Sequence, residues 1–234
     1  MKKIAPTILS IKFLILIAFF HLVYLSYFVP KVYSMPLKYA GTVRKIEEKY
    51  KNVRSIKAYF YQKEIIPGYS QNMVFKGYFY YRRNNHEGRT WGMAWIYEYP
   101  FHKRQVLKNG RLYIVNDKIK KVTVINVGEE RGGFPPNVIE VIGSLTKYFK
   151  VENIYKNPAS RQIVLVLRPI KMQRAKKIYV GFGDKNLKIK SLKILTYQGQ
   201  TIKFKYKRVK INANISGKVF NTDFPSYYKI IKSN

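Results

Sequence analysis

The spacing of apolar residues changes once along the chain, near residue 52. Between residues 37 and 50 apolar residues recur every three or four positions, as they do on one side of an α-helix. Beyond Asn52 they alternate with polar residues or form short β-branched and aromatic runs, which is typical of strands. The pattern predicts one helix that ends near Asn52 and then ten strands, near residues 56–64, 74–83, 91–99, 103–108, 111–116, 121–127, 161–168, 176–182, 187–196 and 201–210.

A second helical pattern interrupts the strands between residues 138 and 149. Its apolar positions include Val138, Ile142 and Leu145, and Asn137 precedes them as a candidate N-cap. A sheet of about ten strands with tight connections tends to curl. We therefore expect a mainly β fold with helices (α+β), in which a curved antiparallel sheet forms an incomplete β-barrel. The N-terminal helix and the inserted lid helix would cover its concave side.

The charge of the chain is strongly positive, with 45 Lys+Arg against 12 Asp+Glu and a formal net charge of +33. Because 47% of the residues are hydrophobic, the chain is too apolar for a disordered basic tail. In the strand at 201–210 apolar residues alternate with Lys203, Lys205 and Lys207. The pleat of a strand would place these lysines on the face away from the core.

The N-terminus has the pattern of an export signal. Lys2 and Lys3 precede residues 13–30, which carry no charge, and a small residue follows at Ser34. We predict a signal peptide at 1–34, cleaved near Ser34, and a single domain at 35–234; an uncleaved membrane anchor is the alternative. The signal contains four lysines and no acid, so the domain keeps a net charge of +29.

The residues that usually carry catalysis are scarce. There is no cysteine, and beyond residue 34 only His86 and His102 are histidines. No metal-spaced cluster, GxSxG motif or P-loop is present. We expect no enzyme, no metal and no cofactor. A Gly-Phe-Gly segment at 181–183 is weakly similar to an RNA-binding strand, but a strand end before a hairpin turn explains it, and no nucleic-acid partner is expected.

Aromatic residues are concentrated between residues 75 and 99, at positions of both parities along the predicted strands. A two-layer fold needs large side chains on one face only. Rings on both faces indicate either a thick core beneath the helices or a surface for an apolar ligand. Both interpretations remain open on this pattern.

Short motifs follow one another in a family-like order. One is Ile-Lys-Ala-Tyr-Phe-Tyr-Gln at 56–62, and another is Trp-Ile-Tyr-Glu-Tyr-Pro at 95–100. The chain resembles the LolA family of periplasmic outer-membrane lipoprotein carriers over nearly all of the predicted domain. The matching segments are 52–62, 77–84, 95–100, 106–115, 121–124, 197–201 and 219–220.

This resemblance implies a half-barrel whose hydrophobic cavity holds the acyl chains of lipoproteins. It implies a monomeric chaperone in the periplasm that accepts lipoproteins from an inner-membrane ABC transporter and delivers them to an outer-membrane lipoprotein receptor. Arg83, or its neighbour Arg82, matches the arginine that ties the helical lid; Asn84 stands where the family has proline. The expected cavity and latch residues are Arg83, Phe79, Tyr81, Met93, Trp95, Tyr97, Val138, Ile142 and Leu145.

Two other functions remain possible on the sequence. The first is a basic envelope module that binds anionic lipid or another polyanion on its lysine-rich sheet face, because Lys203, Lys205 and Lys207 are spaced two apart. The second is a regulatory sensor of envelope lipoproteins with the same half-barrel. Salt separates the first of these from a carrier, since anion binding weakens with ionic strength and acyl-chain binding does not.

Overall fold

One open sheet dominates the computed structural model, which describes residues 36–83, 90–126, 141–170 and 175–233. The twelve strands of this sheet, in chain order, are β1 (Ser55–Ile65), β2 (Met73–Arg83), β3 (Thr90–Tyr99), β4 (Lys103–Lys108), β5 (Arg111–Asn116), β6 (Lys121–Asn126), β7 (Phe149–Asn157), β8 (Gln162–Pro169), β9 (Ala175–Gly183), β10 (Ile189–Thr196), β11 (Thr201–Ile211) and β12 (Lys229–Ser233).

The order of the strands leaves the sheet unclosed. They lie side by side as β12-β6-β5-β4-β3-β2-β1-β11-β10-β9-β8-β7, so β12 and β7 form its two edges. Neighbouring strands pair antiparallel throughout, except that β12 runs parallel to β6. The predicted mainly β, incompletely closed architecture is confirmed.

The helices differ in how well the sequence pattern located them. Helix α1 (Leu37–Lys51) ends where the periodicity predicted, and Val43, Ile46 and Tyr50 are its buried residues. The second predicted helix ends at Tyr148 as the pattern indicated, but a turn at residues 143–144 interrupts it: residues 141–142 are helical, helix α2 (Leu145–Tyr148) follows, and Phe149 begins β7. Val138, Asn137, His86 and the predicted signal at 1–34 lie outside the described residues.

Two edge strands, β7 and β12, were absent from the predicted set. In β7 the register slips between Val151 and Asn153, so its apolar residues do not alternate regularly. β12 is only five residues long, and it pairs with β6. β12 therefore depends on pairing with a strand that is distant in the sequence, whereas β7 forms a hairpin with β8, the next strand along the chain.

The two faces of the sheet have different contents. We call the face on which α1 packs the inner face; its core includes Ile56 and Phe60 of β1 and Leu165 of β8 together with the apolar side of α1. In β11 the residue Arg208 adopts a positive φ of 52°, and the register with β1 slips there. This bulge brings both Tyr206 and Val209 to the inner face, where they pack against the core.

The chain crosses both faces of the sheet. β6 lies next to one edge and β7 forms the other, and Val141, Ile142 and Leu145, shortly before β7, pack into the inner core. After β11 the chain returns over the outer face. There it forms a 3₁₀ helix (Gly217–Phe220). Phe220, the last residue of this helix, and Ile215, which precedes it, cover Ala94 of β3 and Val106 of β4.

A substitution at Gly77 tests the packing of β2 on β3. A Cβ atom there would lie 2.0 Å from the carbonyl oxygen of Ile96, and a backbone atom in a central strand cannot move aside cheaply. Gly77→Ala is expected to lower the free energy of unfolding by about 1–3 kcal/mol. The matched control is Gly41→Ala in α1, where no atom lies within 4 Å of the added carbon.

Gly41→Ala is expected to raise stability by up to about 1 kcal/mol, because alanine favours helix more than glycine does. Urea unfolding of both variants provides the measurement. A Gly77→Ala protein as stable as the wild type would contradict the close approach of the two strands.

Candidate functional site

Aromatic rings cover the inner face across the adjacent strands β3, β2, β1 and β11. The ring centroids of Phe79 and Trp95 are 5.4 Å apart, those of Phe79 and Tyr206 are 6.2 Å apart, and Phe204 and Tyr206 stack at 5.9 Å. We call this cluster the aromatic floor; its members are Phe60, Phe75, Phe79, Trp95, Tyr97, Phe204 and Tyr206.

Part of the aromatic floor remains accessible. Phe60, Phe79 and Tyr97 are buried, whereas the other four members keep solvent-accessible area although they point toward the covered side of the sheet. The same is true of apolar inner-face residues on the neighbouring strands, namely Leu107, Leu112, Ile114 and Ile125. An apolar surface that runs over seven adjacent strands, from β6 to β11, without being fully buried is suited to an extended apolar ligand.

The polar groups beside the floor are neutral or already paired. The Tyr97 hydroxyl lies 3.4 Å from the Oε1 atom of Gln62, to which it donates, and the Gln62 amide donates to Glu64. Burial raises the pKa of the Tyr97 and Tyr206 hydroxyls well above their ordinary range, so both stay protonated. These groups can orient a ligand by hydrogen bonding, but none of them is an activated nucleophile.

No group of residues that could hold a metal ion occurs within the described part of the chain. His102 is exposed on the connection between β3 and β4. The described residues of the floor therefore offer apolar contact rather than the side-chain chemistry of a reaction centre.

The structure brings together most of the residues that the sequence indicated. Those that belong to the inner core are Phe79, Tyr81, Met93, Tyr97, Ile142 and Leu145, and Trp95 packs against it. Val138 lies outside the described residues.

Sequence reasoning missed four residues of the floor: Phe60, Phe75, Phe204 and Tyr206. Each lies an even number of residues from a position that was predicted to point inward, or on the predicted apolar face of its strand. Alternation along the strand could therefore have identified all four. What alternation could not show is that β11 lies beside β1, because these strands are far apart in the sequence.

Side chains in the C-terminal half of α1 form hydrogen bonds that hold the helix in place. The Tyr50 hydroxyl accepts a hydrogen bond from the Ile189 N–H at 2.8 Å and donates to the Leu187 carbonyl at 3.1 Å. Glu47 accepts hydrogen bonds from the N–H and the hydroxyl of Thr146 at 3.1 and 3.2 Å, which links α1 to α2. The first contact is largely buried, whereas the second is exposed and correspondingly weak.

The two adjacent arginines at the end of β2 point to opposite faces. Arg83 donates from Nη1 to the Lys51 carbonyl at the C-terminal end of α1 and from Nε to the Tyr81 hydroxyl at 3.3 Å. Arg82 donates to the Ile215 carbonyl at 2.9 Å, and its guanidinium lies 5.5 Å from the Phe220 ring centroid. Arg83 thus ties the inner-face helix, where a cation also complements the helix dipole, and Arg82 ties the outer segment.

The family of the chain follows from a comparison of its sequence with known families. Residues 51–223 match the family described as outer membrane lipoprotein carrier protein LolA. The chain belongs to the LolA family. Members of this family are periplasmic carriers and not enzymes. No helix in the described ranges is both long enough and apolar enough to span a membrane.

The chain is also similar to individual known proteins. An outer-membrane lipoprotein carrier protein from Francisella philomiragia is 26% identical over 204 residues, which cover 86% of this chain and 93% of that protein. The structure of a DUF1329 family protein from Desulfovibrio piger superposes with a TM-score of 0.50 at 8% identity, over 81% of this chain and 98% of that one. A LolA superfamily protein from Nitrosomonas europaea gives a TM-score of 0.42 at 10% identity, over 78% and 97% of the two chains.

Removal of the Tyr50 hydroxyl tests the attachment of α1. Tyr50→Phe leaves the Ile189 N–H without its partner, and an unpaired buried donor costs about 1–3 kcal/mol. The control Tyr39→Phe removes an exposed hydrogen bond to Asn153 near the start of α1 and is expected to change stability by less than about 0.5 kcal/mol. Chemical denaturation of both variants measures the difference.

Tyr50→Phe also tests how the stability of the protein depends on pH. Burial raises the pKa of the Tyr50 hydroxyl, so the folded state keeps a proton that the unfolded state releases above a pKa of about 10. The stability from this group is complete below pH ~10 and is lost as the pH rises above it. Tyr50→Phe should therefore lose less stability than the wild type between neutral and alkaline pH. An identical alkaline slope would contradict the burial of this hydroxyl.

Proposed function

We propose that this protein is a periplasmic carrier that receives the acyl chains of lipoproteins on the aromatic floor and shuttles lipoproteins from the inner to the outer membrane. The observation that carries the proposal is the partly accessible floor, an apolar surface under a helical cover. Membership of the LolA family supports it. The half-buried rings of Trp95, Phe204 and Tyr206 are the surface on which the chains would lie.

The cover can be displaced at a moderate energetic cost. α2 is four residues long, and its link to α1 through Glu47 and Thr146 is exposed to water. Each methylene of an acyl chain transferred from water to the floor contributes about 0.8 kcal/mol. Displacing Ile142 and Leu145 from the same surface offsets part of that gain. The resulting affinity is moderate, as onward transfer requires.

The proposed transport route implies two protein partners. An inner-membrane lipoprotein-releasing ABC transporter would load the carrier, and an outer-membrane lipoprotein receptor would unload it. The sequence contains no cysteine and so cannot carry a lipid on an N-terminal cysteine, which favours the free carrier over an anchored receptor. We further propose that the protein is a monomer in the periplasm, exported by a signal at 1–34 that is cleaved near Ser34.

Arg83 is proposed as the latch of the cover. Its guanidinium reaches the last turn of α1 from the end of β2, so it can hold the helix on the floor when no cargo is present. Opening the cover would break this charge-assisted hydrogen bond, and closing would restore it. The energy of this bond then favours the empty, closed form and helps to expel cargo at the receptor.

Cargo contact with the floor can be measured through Trp95. The chain contains only two tryptophans, so Trp91→Phe leaves Trp95 as the single reporter. A lipopeptide with bromine atoms along its acyl chains should quench the fluorescence of Trp95, because bromine quenches indole at short range. The same lipopeptide without bromine should not, and raising the salt concentration should leave the quenching unchanged. Absence of quenching at saturating lipopeptide would contradict acyl binding on the floor.

The latch is tested by a pair of adjacent substitutions. Arg83→Leu removes the bond to Lys51 and should slow the release of a bound lipoprotein to the receptor about tenfold or more, since a hydrogen bond from a charged donor is worth about 1.5–3 kcal/mol. Arg82→Leu removes a similar side chain that faces the outer segment and should leave release unchanged. The transfer rate of a labelled lipoprotein gives the result; normal transfer by Arg83→Leu would rule out the latch.

A further inference from the structure

The outer face of the sheet is divided into two parts that differ in chemistry. Over β3 and β4 it includes the apolar residues Ala94 and Val106, and the segment with Ile215 and Phe220 covers them. Over β2, β1, β11 and β10 it is rich in lysines and tyrosines. We call this second part the lysine face; the lysines that define it are Lys63, Lys76, Lys193, Lys203, Lys205 and Lys207.

Lysines of the lysine face stand directly opposite one another. Lys63 of β1 pairs with Lys203 of β11, and Lys203 pairs in turn with Lys193 of β10. Adjacent strands are about 4.8 Å apart, so three ammonium-bearing side chains lie in a row across three strands. Like charges in such cross-strand positions repel each other and destabilise the sheet.

No lysine of this row belongs to an ion pair among the described residues. The described ion pairs of the protein involve Glu48, Glu152 and Asp117, and none includes Lys63, Lys203 or Lys205. Lys203, Lys205 and Lys207 are all exposed.

Two ordinary explanations of surface lysines fit poorly. Lysines often protect an edge strand from pairing with another chain, but β11 lies between β1 and β10 in the interior of the sheet. Solubility is served by charges of both signs in alternation, whereas this row has one sign. The position of the row therefore indicates a partner that supplies negative charge.

Tyrosines lie between the lysines. The Tyr61 ring is 4.9 Å from Lys207 Nζ and 5.6 Å from Lys76 Nζ, measured to the ring centroid. Tyr59 contacts the rings of Tyr61 and Tyr78 at 5.4 and 5.1 Å. Tyrosine combines an apolar ring with a polar hydroxyl and favours the boundary between headgroups and acyl chains of a membrane.

We infer that the lysine face docks the protein on the anionic phospholipid headgroups of a membrane surface. Lysines along β11 recur about every 6.6 Å and those on adjacent strands about every 4.8 Å, so the charges form a two-dimensional array. A layer of headgroups matches such an array, whereas a single linear polyanion would follow one line of it. Membrane docking is independent of cargo binding, because the lysine face and the aromatic floor lie on opposite sides of the same strands.

Vesicle binding by the exported protein, without lipoprotein, tests the inference. The protein should sediment with vesicles of equal parts phosphatidylcholine and phosphatidylglycerol, and far less with phosphatidylcholine alone. The triple variant Lys203→Gln, Lys205→Gln, Lys207→Gln should bind the anionic vesicles on the order of a hundredfold more weakly, since each lysine near the surface contributes a several-fold factor. Added salt should weaken wild-type binding.

Two further variants separate the face from total charge and from folding. Lys45→Gln, Lys49→Gln, Lys185→Gln removes the same charge from exposed positions elsewhere and should bind like the wild type. The triple arginine variant at 203, 205 and 207 keeps the charge and should also bind. The glutamine variant at these positions should unfold at the same or a higher denaturant concentration, because it relieves repulsion.

Three results would overturn the inference. One is equal binding to neutral and anionic vesicles, and another is equal weakening by both glutamine variants. The third is tight binding of soluble polyphosphate with no binding to anionic vesicles, which would make the partner a free polyanion. Quenching of Trp95 by brominated lipopeptide reports the floor separately, so each site can fail without the other.

Discussion

An unclosed sheet with an apolar face has to be covered, and this constraint organises the protein. β7 and β12 form separate edges and leave the sheet open, so the inner face depends on helices for its burial. α1 contributes Val43, Ile46 and Tyr50 to that burial, and the segment around Leu145 contributes more. The cover consists of helical pieces that are not part of the sheet, in contrast to a closed barrel, whose strands enclose the interior themselves. A surface that is both apolar and only partly covered follows from this construction.

The contacts of the cover differ in strength along its length. Tyr50 is tied to the start of β10 by two hydrogen bonds in a buried environment, and Arg83 holds the same end of the helix from β2. The link from Glu47 to Thr146 is exposed, and α2 itself is a single turn. The cover is therefore attached firmly at the C-terminal end of α1 and weakly at α2. On the proposed mechanism α2 would move first, and full opening would also break the bond from Arg83 to the end of α1.

The pleat of the strands places apolar and charged side chains on opposite faces of the sheet. On β11 the rings of Phe204 and Tyr206 belong to the aromatic floor, while Lys203, Lys205 and Lys207 face the other way. A chain with a high net positive charge can therefore still form an apolar site, because adjacent residues of one strand point to opposite faces of the sheet. The outer face is divided again by the C-terminal segment, which covers apolar residues of β3 and β4 and leaves the lysines of β11 exposed.

Local residue patterns determined most of the secondary structure and several inward-facing positions of this protein. They located α1, ten of the strands and the inward parity of Phe79, Trp95 and Tyr97, because helix and strand periods depend on neighbours in the sequence. Only the tertiary structure decided the rest. It made β12 a strand through a distant partner and interrupted the second helix with a turn before Leu145. It also brought Phe204 and Tyr206 beside Phe60 and Phe79, and supplied the partners of the neighbouring arginines of β2, Lys51 for Arg83 and Ile215 for Arg82. These features depend on which remote segments lie side by side, and local spacing carries no information about that.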